Sequence, residues 1–222
     1  MPSLSHLLRT ETAGAHERAE ESQFVTELME GGSCRGAYAM LVAQHRAIYH
    51  AMEDVLRTTY ADDELLAPFL DPNLDRAAAL DADLAALTGL PAIEAVGDRL
   101  TVLPATRTYV EVLERHHSPE VLLANHYVRY LGDLSGGQIV AAHIRRRYDL
   151  DPACLTFYRF DAIDDRNAYK AAYRARLDAV DADQARRRAI VDAAVESFEL
   201  NRAVFADLEA SQERFHRLAD VT

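Results

Sequence analysis

The sequence predicts an all-α fold in a single domain, on three observations. Apolar residues recur every three or four positions along most of the chain, whereas the alternation typical of strands is not sustained. The length of 222 residues fits one medium-sized domain with a substantial core. The chain has no Ser/Gly-rich linker and no internal repeat. We therefore expect residues 1–222 to form one helical domain.

The helix boundaries follow from apolar periodicity and from helix-breaking residues. In order, the predicted helices cover residues 3–20, 24–30, 35–60, 75–87, 104–115, 119–148, 165–180 and 183–217. Leucines form the inner face of the first helix, and Gly31 ends the second. The third helix is long and amphipathic, with an apolar stripe from Tyr38 to Leu56. Pro68 and Pro72 mark the loop that follows it.

Similar signals divide the second half of the chain. Gly89 and Pro91 break the region after the fourth helix. His116 and His117 are expected to end the fifth helix, because cations are favoured at a helix C-terminus. The sixth helix contains a cluster of glycines. Residues 149–163, which include a proline and several aromatic residues, are expected to connect it to the last two helices.

Composition and charge exclude several classes of function. Acidic residues outnumber basic ones by 36 to 24, and the net charge of -12 argues against binding to nucleic acid or an anionic membrane. Cys34 and Cys154 match no zinc or redox spacing. The chain has neither a signal-peptide pattern nor an apolar run long enough for a membrane span. We therefore expect a soluble, cytoplasmic protein without a membrane anchor.

Three of the nine glycines lie within six residues of the sixth predicted helix, at Gly132, Gly136 and Gly137. Each glycine inside a helix costs about 1 kcal/mol relative to alanine. That cost indicates that another group approaches the backbone closely, or that the helix bends. Asp133 lies between the glycines. A helix face without side chains, beside one carboxylate, suits a flat ligand laid against the backbone.

His16 is a candidate metal ligand. Glu20 lies one helical turn later on the same face, where a carboxylate can orient an imidazole and raise its basicity. Small neighbours at residues 13–15 leave room for a bulky group. From the residues alone, an exposed histidine–glutamate pair is the commoner interpretation. A ferritin-like di-iron site is disfavoured, because the Glu-x-x-His motif at residues 114–117 has no second copy.

Lys170 and Arg174 form a second candidate site. They are spaced i,i+4, so that two cations on one helix face can clamp carboxylates, although a solvated face is the general alternative. Lys170 is the only lysine of the chain. Runs of three arginines at residues 145–147 and 186–188 are expected to form local ion pairs or to dock an acidic partner.

These residues resemble one known family. Residues 127–138 read YVRYLGDLSGGQ, which is similar almost residue for residue to the distal-helix signature of haem oxygenases. Further similar segments lie at residues 15–20, 48–49, 169–176 and 198–201. A twelve-residue match with these glycines is highly specific, and it extends to nearly the whole chain. The resemblance implies a haem-oxygenase-like helical bundle, with haem between a proximal helix and a kinked distal helix.

The resemblance also assigns roles around the iron. It implies that His16 is the proximal ligand of the haem iron and that Glu20 holds the other ring nitrogen of His16. It further implies that Gly132 and Gly136 let the distal helix bend over the haem.

The resemblance also implies roles for polar residues on the distal side of the haem and for cations at the haem edge. Asp133 would anchor a water network beside iron-bound dioxygen, supported by Tyr49, Tyr127 and Arg129. Lys170 and Arg174 match positions that bind the haem propionates, and Arg9 stands where an amino-terminal lysine is frequent in the family.

The family's reaction opens the haem ring with dioxygen and electrons, and it releases biliverdin, carbon monoxide and ferrous iron. Haem is therefore substrate and cofactor together. The resemblance implies an external electron donor, either ferredoxin with ferredoxin reductase or a flavin reductase. The membrane anchor and Cys-Pro motifs of some eukaryotic members are missing, which favours a soluble, bacterial-type enzyme that releases iron from haem. We expect a monomer.

Two rival functions are open. A non-catalytic haem carrier or sensor has the same kind of pocket, although storage alone does not need Asp133, Arg129 and Tyr127. A thiamin-degrading enzyme of the related helical fold needs a catalytic cysteine in its core, and neither Cys34 nor Cys154 lies in a convincing sequence context.

Overall fold

Ten α-helices make up the fold within the residues that the structure describes. The structure is a computed structural model that describes residues 2–98, 100–115 and 118–212. The helices are α1 Leu4–Glu11, α2 Ala13–Glu20, α3 Gln23–Glu30, α4 Arg35–Thr58, α5 Ala77–Thr88, α6 Ala92–Asp98, α7 Pro104–Arg115, α8 Pro119–Tyr148, α9 Arg166–Asp178 and α10 Gln184–Ala210. No strand occurs in these ranges, and the all-α prediction is confirmed.

The predicted first helix is two helices, because the chain bends at Thr12. The Thr12 hydroxyl donates to the Leu8 carbonyl at 2.6 Å, and the Thr12 N–H donates to the same oxygen at 3.2 Å. A threonine hydroxyl that bonds back to the preceding turn often bends a helix. The bend sets the direction of α2, which carries His16.

Other predicted boundaries hold to within a few residues, with one addition. A short helix, α6, forms in the region where glycine and proline predicted a break, and Val96 and Gly97 depart from helical dihedral angles inside it. The described part of α10 ends at Ala210. The predicted continuation to residue 217 and the predicted helix end at His116 and His117 lie outside the described residues.

The helix α8 is continuous over 30 residues and passes through the glycine cluster. It begins at Pro119, where the missing N–H costs no helical hydrogen bond, and Asp149 ends it in a left-handed conformation with φ of 48°. None of the cluster's glycines has a left-handed φ. The cluster therefore leaves the helix unbroken, and a kink over a ligand stays a prediction.

Packing around α8 and α10 positions the functional residues. The helix α10 packs along α8 and also contacts α2, α3 and α7, whereas α4 packs against α5 and α7. One apolar core joins these helices, with Leu8, Ile48 and Tyr49 fully buried in it. Within the described ranges no helix is long and apolar enough to cross a bilayer. By contacting both α2 and α8, α10 brings the His16 helix and the glycine helix to one side of the bundle.

Candidate active site

A cleft of about 350 Å³ lies between α1, α2, α8, α9 and α10. Its lining includes Arg9, His16, Tyr127, Gly132, Arg174 and Phe198. Residues that the sequence presents in separate segments therefore line one cleft. The bend at Thr12 and the contact between α2 and α10 are what bring His16 to this place.

The His16 side chain is half-exposed, and among the described residues only its Nδ1 has a partner. Its Nδ1 lies 3.3 Å from a Glu20 carboxylate oxygen, and its ring meets the Phe198 ring edge-on at 5.3 Å. Because Nδ1 lies beside this carboxylate, Nε2 is the nitrogen left to bind a metal. Within the described residues, no group of three or more His, Cys, Asp or Glu side chains could hold a metal ion. His16 therefore suits a metal that brings its other ligands with it.

The glycines of α8 differ in what surrounds them. A Cβ placed on Gly132 or Gly136 would meet no other side chain or helix of the described residues within 4 Å, whereas one on Gly137 would lie 3.1 Å from the Tyr158 ring. Gly137 is thus required by internal packing against Tyr158. Gly132 and Gly136 are not required by packing, although each costs the helix about 1 kcal/mol. The bare backbone of Gly132 lines the cleft, and Gly136 lies one turn further along α8, so this part of the helix suits a flat ligand.

Asp133 pairs with Tyr49 beneath the glycine face. The Tyr49 hydroxyl donates to the Asp133 carboxylate, and the Tyr49 side chain is fully buried. Burial raises the pKa of Asp133 from 3.8 to about 6, although the Tyr49 hydrogen bond and the charges of Arg129 and Arg76 oppose the rise. Asp133 can therefore exchange a proton near neutral pH.

Arg129 lies close to this pair and is buried. Its Nη2 donates to the Asn201 side-chain oxygen at 2.5 Å, and its guanidinium carbon lies 5.4 Å from the centre of the Tyr49 ring. Its Nε is buried with no hydrogen-bond partner among the described residues. A buried polar atom without a partner is unusual in a native protein.

The cations that the sequence assigned to the cleft edge divide into two groups. Arg9 and Arg174 line the cleft together with Tyr127. Burial raises the pKa of the Tyr127 hydroxyl, and the charges of Arg174 and Arg9 oppose the rise, so all three side chains lie near one another. Lys170 is half-buried one turn before Arg174 on α9 but does not line the cleft. Tyr127 thus lies with the cations, not with Asp133.

Two residues that no sequence motif marked also belong to the site. Phe198 lies against the His16 ring, and Asn201 holds Arg129. Both belong to residues 198–201, a segment that the resemblance already covered. Their side chains are aromatic and amide, so no charge or metal-ligand pattern marked them.

Comparisons with known proteins agree with this geometry. The family model described as heme oxygenase matches residues 2–207. The curated heme oxygenase of the alga Rhodella violacea is 32% identical over 212 residues, which cover 94% of this chain and 88% of the relative. The chain therefore belongs to the haem oxygenase family and is an oxidoreductase of that class, so a non-catalytic carrier or sensor is not supported.

Solved structures show the same fold. Heme oxygenase-1 of the cyanobacterium Synechocystis, solved in complex with heme, matches with a TM-score of 0.90 and 31% identity, covering 98% of this chain and 97% of that one. Heme oxygenase-2 of Synechocystis, solved with heme and NO, matches with a TM-score of 0.88 and 32% identity over 94% of this chain and 86% of that one.

The cysteines do not support the thiamin-degrading alternative. Cys154 is buried, and this burial raises the pKa of its thiol, with a further rise from nearby Asp83. A thiol of this kind is a poor nucleophile. Cys34 is half-buried, and neither cysteine lines the cleft.

Proposed function

We propose that the chain acts as one haem oxygenase domain over residues 1–222, binding haem in the cleft and cleaving it to biliverdin, carbon monoxide and ferrous iron. A single observation carries the proposal. The cleft combines an imidazole whose Nδ1 lies 3.3 Å from a Glu20 carboxylate oxygen with a helix face on which Gly132 has no side chain to fill the space. A planar group with a metal at its centre needs both features.

The residues of the cleft fit haem by their chemistry. The porphyrin supplies four nitrogen ligands, so one histidine, His16, suffices from the protein. Bound in this place, haem supplies the iron that binds dioxygen and the ring carbon that is oxidised. Glu20 lies beside the Nδ1 of His16 and would orient the ring with Nε2 toward the iron. Phe198, edge-on to His16, restricts the rotation of the imidazole.

Asp133 is proposed to hold and transfer protons on the distal side. Its carboxyl has a pKa of about 6, raised by burial, so both protonation states are accessible near neutral pH. The Tyr49 hydroxyl donates to it and thereby fixes its orientation. Arg129 supplies a positive charge close by without an ion pair to the carboxylate.

Arg9, Arg174 and Lys170 are proposed to bind the two haem propionates. The first two line the cleft directly, and Lys170 stands one turn along α9 from Arg174. Cation–carboxylate pairs at the edge fix the in-plane rotation of a flat ligand, which decides which ring carbon faces the distal residues. Tyr127, which lies with Arg9 and Arg174, is proposed to support these contacts.

Partners and location belong to the same proposal. Ring opening consumes electrons, so the protein requires a redox donor, either ferredoxin with its reductase or a flavin reductase. We propose that the protein works as a cytoplasmic monomer that releases iron from haem. The net charge of -12 gives it no general affinity for nucleic acid or anionic lipid.

Product analysis tests the function directly. Purified protein loaded with one equivalent of haem is supplied with reductant and air, with catalase present to exclude peroxide chemistry in solution. We expect loss of the Soret band, biliverdin in the extract and ferrous iron trapped by a chelator. Retention of the Soret band through repeated reduction and reoxidation contradicts the proposal.

A further inference from the structure

The last residue of α9 caps the first turn of α1. The backbone N–H of Ser5 donates to one oxygen of the Asp178 carboxylate at 2.8 Å, and the Ser5 hydroxyl donates to the other oxygen at 2.9 Å. Ser5 lies in the first turn of α1, where backbone N–H groups have no acceptor within the helix. We call these two hydrogen bonds between Ser5 and Asp178 the clasp. The clasp joins α1 to α9.

The charge of Asp178 is better placed for α1 than for its own helix. An anion is disfavoured at the C-terminus of a helix, where Asp178 lies in α9, and is favoured at the N-terminus of another. Burial raises the pKa of Asp178, but hydrogen bonds from Ser5 and Ser3 and the charge of Arg187 lower it below its usual value overall. The carboxylate is therefore ionised near neutral pH and accepts both hydrogen bonds of the clasp as an anion.

On both helices the clasp lies one turn from a cation that is proposed to bind a propionate. Arg9 follows Ser5 by four residues in α1, and Arg174 precedes Asp178 by four residues in α9. Residues at this spacing share one face of a helix, about 5–6 Å apart. The two helices also contact one another. Joining Ser5 to Asp178 therefore fixes how far Arg9 lies from Arg174.

Arg9 and Arg174 are like charges at one edge of the cleft. Both line the cleft with Tyr127, and both charges act on the Tyr127 hydroxyl. Neither arginine forms an ion pair with a carboxylate of the described residues. Two cations on separate helices repel one another, so their charges tend to part α1 from α9 when no anion lies between them. The clasp opposes this repulsion.

We propose that Ser5 and Asp178 are positioning residues that hold α1 against α9 and so set the separation of Arg9 and Arg174 before haem binds. This inference rests on the proposed role of the two arginines in binding the propionates. It adds that a contact outside the cleft preforms this edge of it, since neither Ser5 nor Asp178 lines the cleft. A preformed site loses less free energy in ordering its groups when the ligand binds.

Other contacts hold α9 to the bundle and do not involve α1. The Tyr173 side chain is fully buried, and its hydroxyl lies 2.8 Å from the Nδ1 of His126 on α8. The Tyr169 hydroxyl donates to the Asp71 carboxylate at 2.8 Å, in the segment between α4 and α5. These contacts remain when the clasp is removed. Loss of the clasp should therefore loosen the start of α1 and leave α9 in place.

Hydrogen exchange of the haem-free protein tests the clasp itself. Asp178→Ala removes both acceptors, and we expect it to speed amide exchange in α1 by about 5-fold, which is the scale of one lost helix cap. Exchange in α9 should change much less. Ser5→Ala keeps the backbone donor and the carboxylate, so it should act in the same direction by a smaller factor.

Asp165→Ala is the matched control on the same helix. The Asp165 carboxylate also accepts two hydrogen bonds, from the N–H groups of Asn167 and Ala168 at 2.9 Å each, but both donors belong to α9. This variant removes a cap of the same chemistry without cutting a link to α1. It should leave exchange in α1 unchanged.

Haem titration tests whether the clasp acts through the propionates. The ligands compared are haem and haem dimethyl ester, whose propionates carry no charge. Asp178→Ala should weaken the binding of haem by about 5-fold and that of the ester much less. Removal of a carboxylate makes this edge more positive, which by itself would strengthen the binding of haem. Weaker binding is therefore the opposite of the effect of charge alone.

The results separate this inference from the proposed function. Unchanged exchange in α1 of Asp178→Ala overturns the inference, as does equal weakening of haem and ester, or tighter binding of haem. Arg174→Gln measures the contribution of the cation itself and should weaken haem more than the ester. If Arg174→Gln discriminates between the two ligands and Asp178→Ala does not, only the inference fails. If Arg174→Gln does not discriminate, the proposed propionate role fails and the inference fails with it.

Discussion

Alanine at Gly132 or Gly136 is expected to act in opposite directions on the protein alone and on its complex with haem. Within the part of the chain that the structure describes, neither position needs glycine for internal packing, because an added Cβ meets nothing within 4 Å. Neither has a left-handed φ that an alanine would strain. Each substitution should therefore stabilise α8 in the free protein and weaken the binding of a planar ligand.

The magnitudes follow from helix propensity and from the added methyl group. Alanine is favoured over glycine inside a helix by about 1 kcal/mol, which for a chain of this size raises Tm by about 2–4 °C. If a porphyrin lies against this backbone, the methyl group overpacks the contact at about 1–3 kcal/mol. Haem affinity should then fall by about 5- to 150-fold.

Gly137→Ala is the matched control on the same helix. Its Cβ would lie 3.1 Å from the Tyr158 ring, which is buried and packs edge-on against Phe157 at 4.9 Å. Because this ring has little freedom to move, the clash should outweigh the gain in helix propensity. We expect Gly137→Ala to lower Tm of the free protein.

Calorimetry of the haem-free proteins and haem titration followed at the Soret band measure the two effects. We expect a higher Tm with weaker haem binding for Gly132→Ala and Gly136→Ala, and a lower Tm for Gly137→Ala. A lower Tm for Gly132→Ala would show that its glycine serves the fold. Unchanged haem affinity in both variants would place the haem elsewhere.

The remaining predictions concern the iron ligand, the cations and the distal acid. His16→Ala should abolish turnover while haem still partitions into the cleft, and a native haem spectrum with full activity would contradict the ligand assignment. Glu20→Ala should weaken haem affinity by about 10- to 100-fold, read from titration and from the iron–histidine stretching frequency. Arg174→Glu should loosen haem and mix the biliverdin isomers more than Lys170→Glu, because only Arg174 lines the cleft; equal effects, seen by product chromatography, would refute that order. Asp133→Asn should stabilise the free protein at pH 8 by at most about 3 kcal/mol, because burial raises the folded-state pKa from 3.8 to about 6 and so disfavours the ionised form. The gain should shrink as the pH falls through 6 and vanish below about pH 4; a Tm difference independent of pH would show that Asp133 does not titrate there.

Local sequence signals were sufficient for most of the helices. The apolar stripes of α4, α8 and α10 repeat over six or more turns, so periodicity identifies them without knowledge of their partners. The pattern of apolar residues could not predict a helix boundary that depends on the hydrogen bond of one side chain. The hydroxyl of Thr12 bonds to the Leu8 carbonyl and divides the first helix, yet threonine occurs within many helices without this effect.

The candidate site also has features that the local sequence indicates and features that depend on tertiary contacts. Two local features point to the cleft from sequence alone. Glycines within residues 127–138 cost helix stability, and Glu20 lies one helical turn from His16, close enough to interact with it. The family resemblance grouped Tyr127 with Asp133 as support for a water network, and in the structure Tyr127 lies with Arg9 and Arg174.

By itself the sequence therefore determined the helical class, the family resemblance and the residues with unusual local chemistry. Only the tertiary structure decided that Gly137 serves packing while Gly132 and Gly136 leave open space, and that Asn201 of α10 holds Arg129 of α8. The physical reason is the distance along the chain over which each interaction acts. Helix propensity and i,i+4 contacts act within a few residues, whereas these distinctions depend on which side chain of a distant helix occupies the neighbouring space.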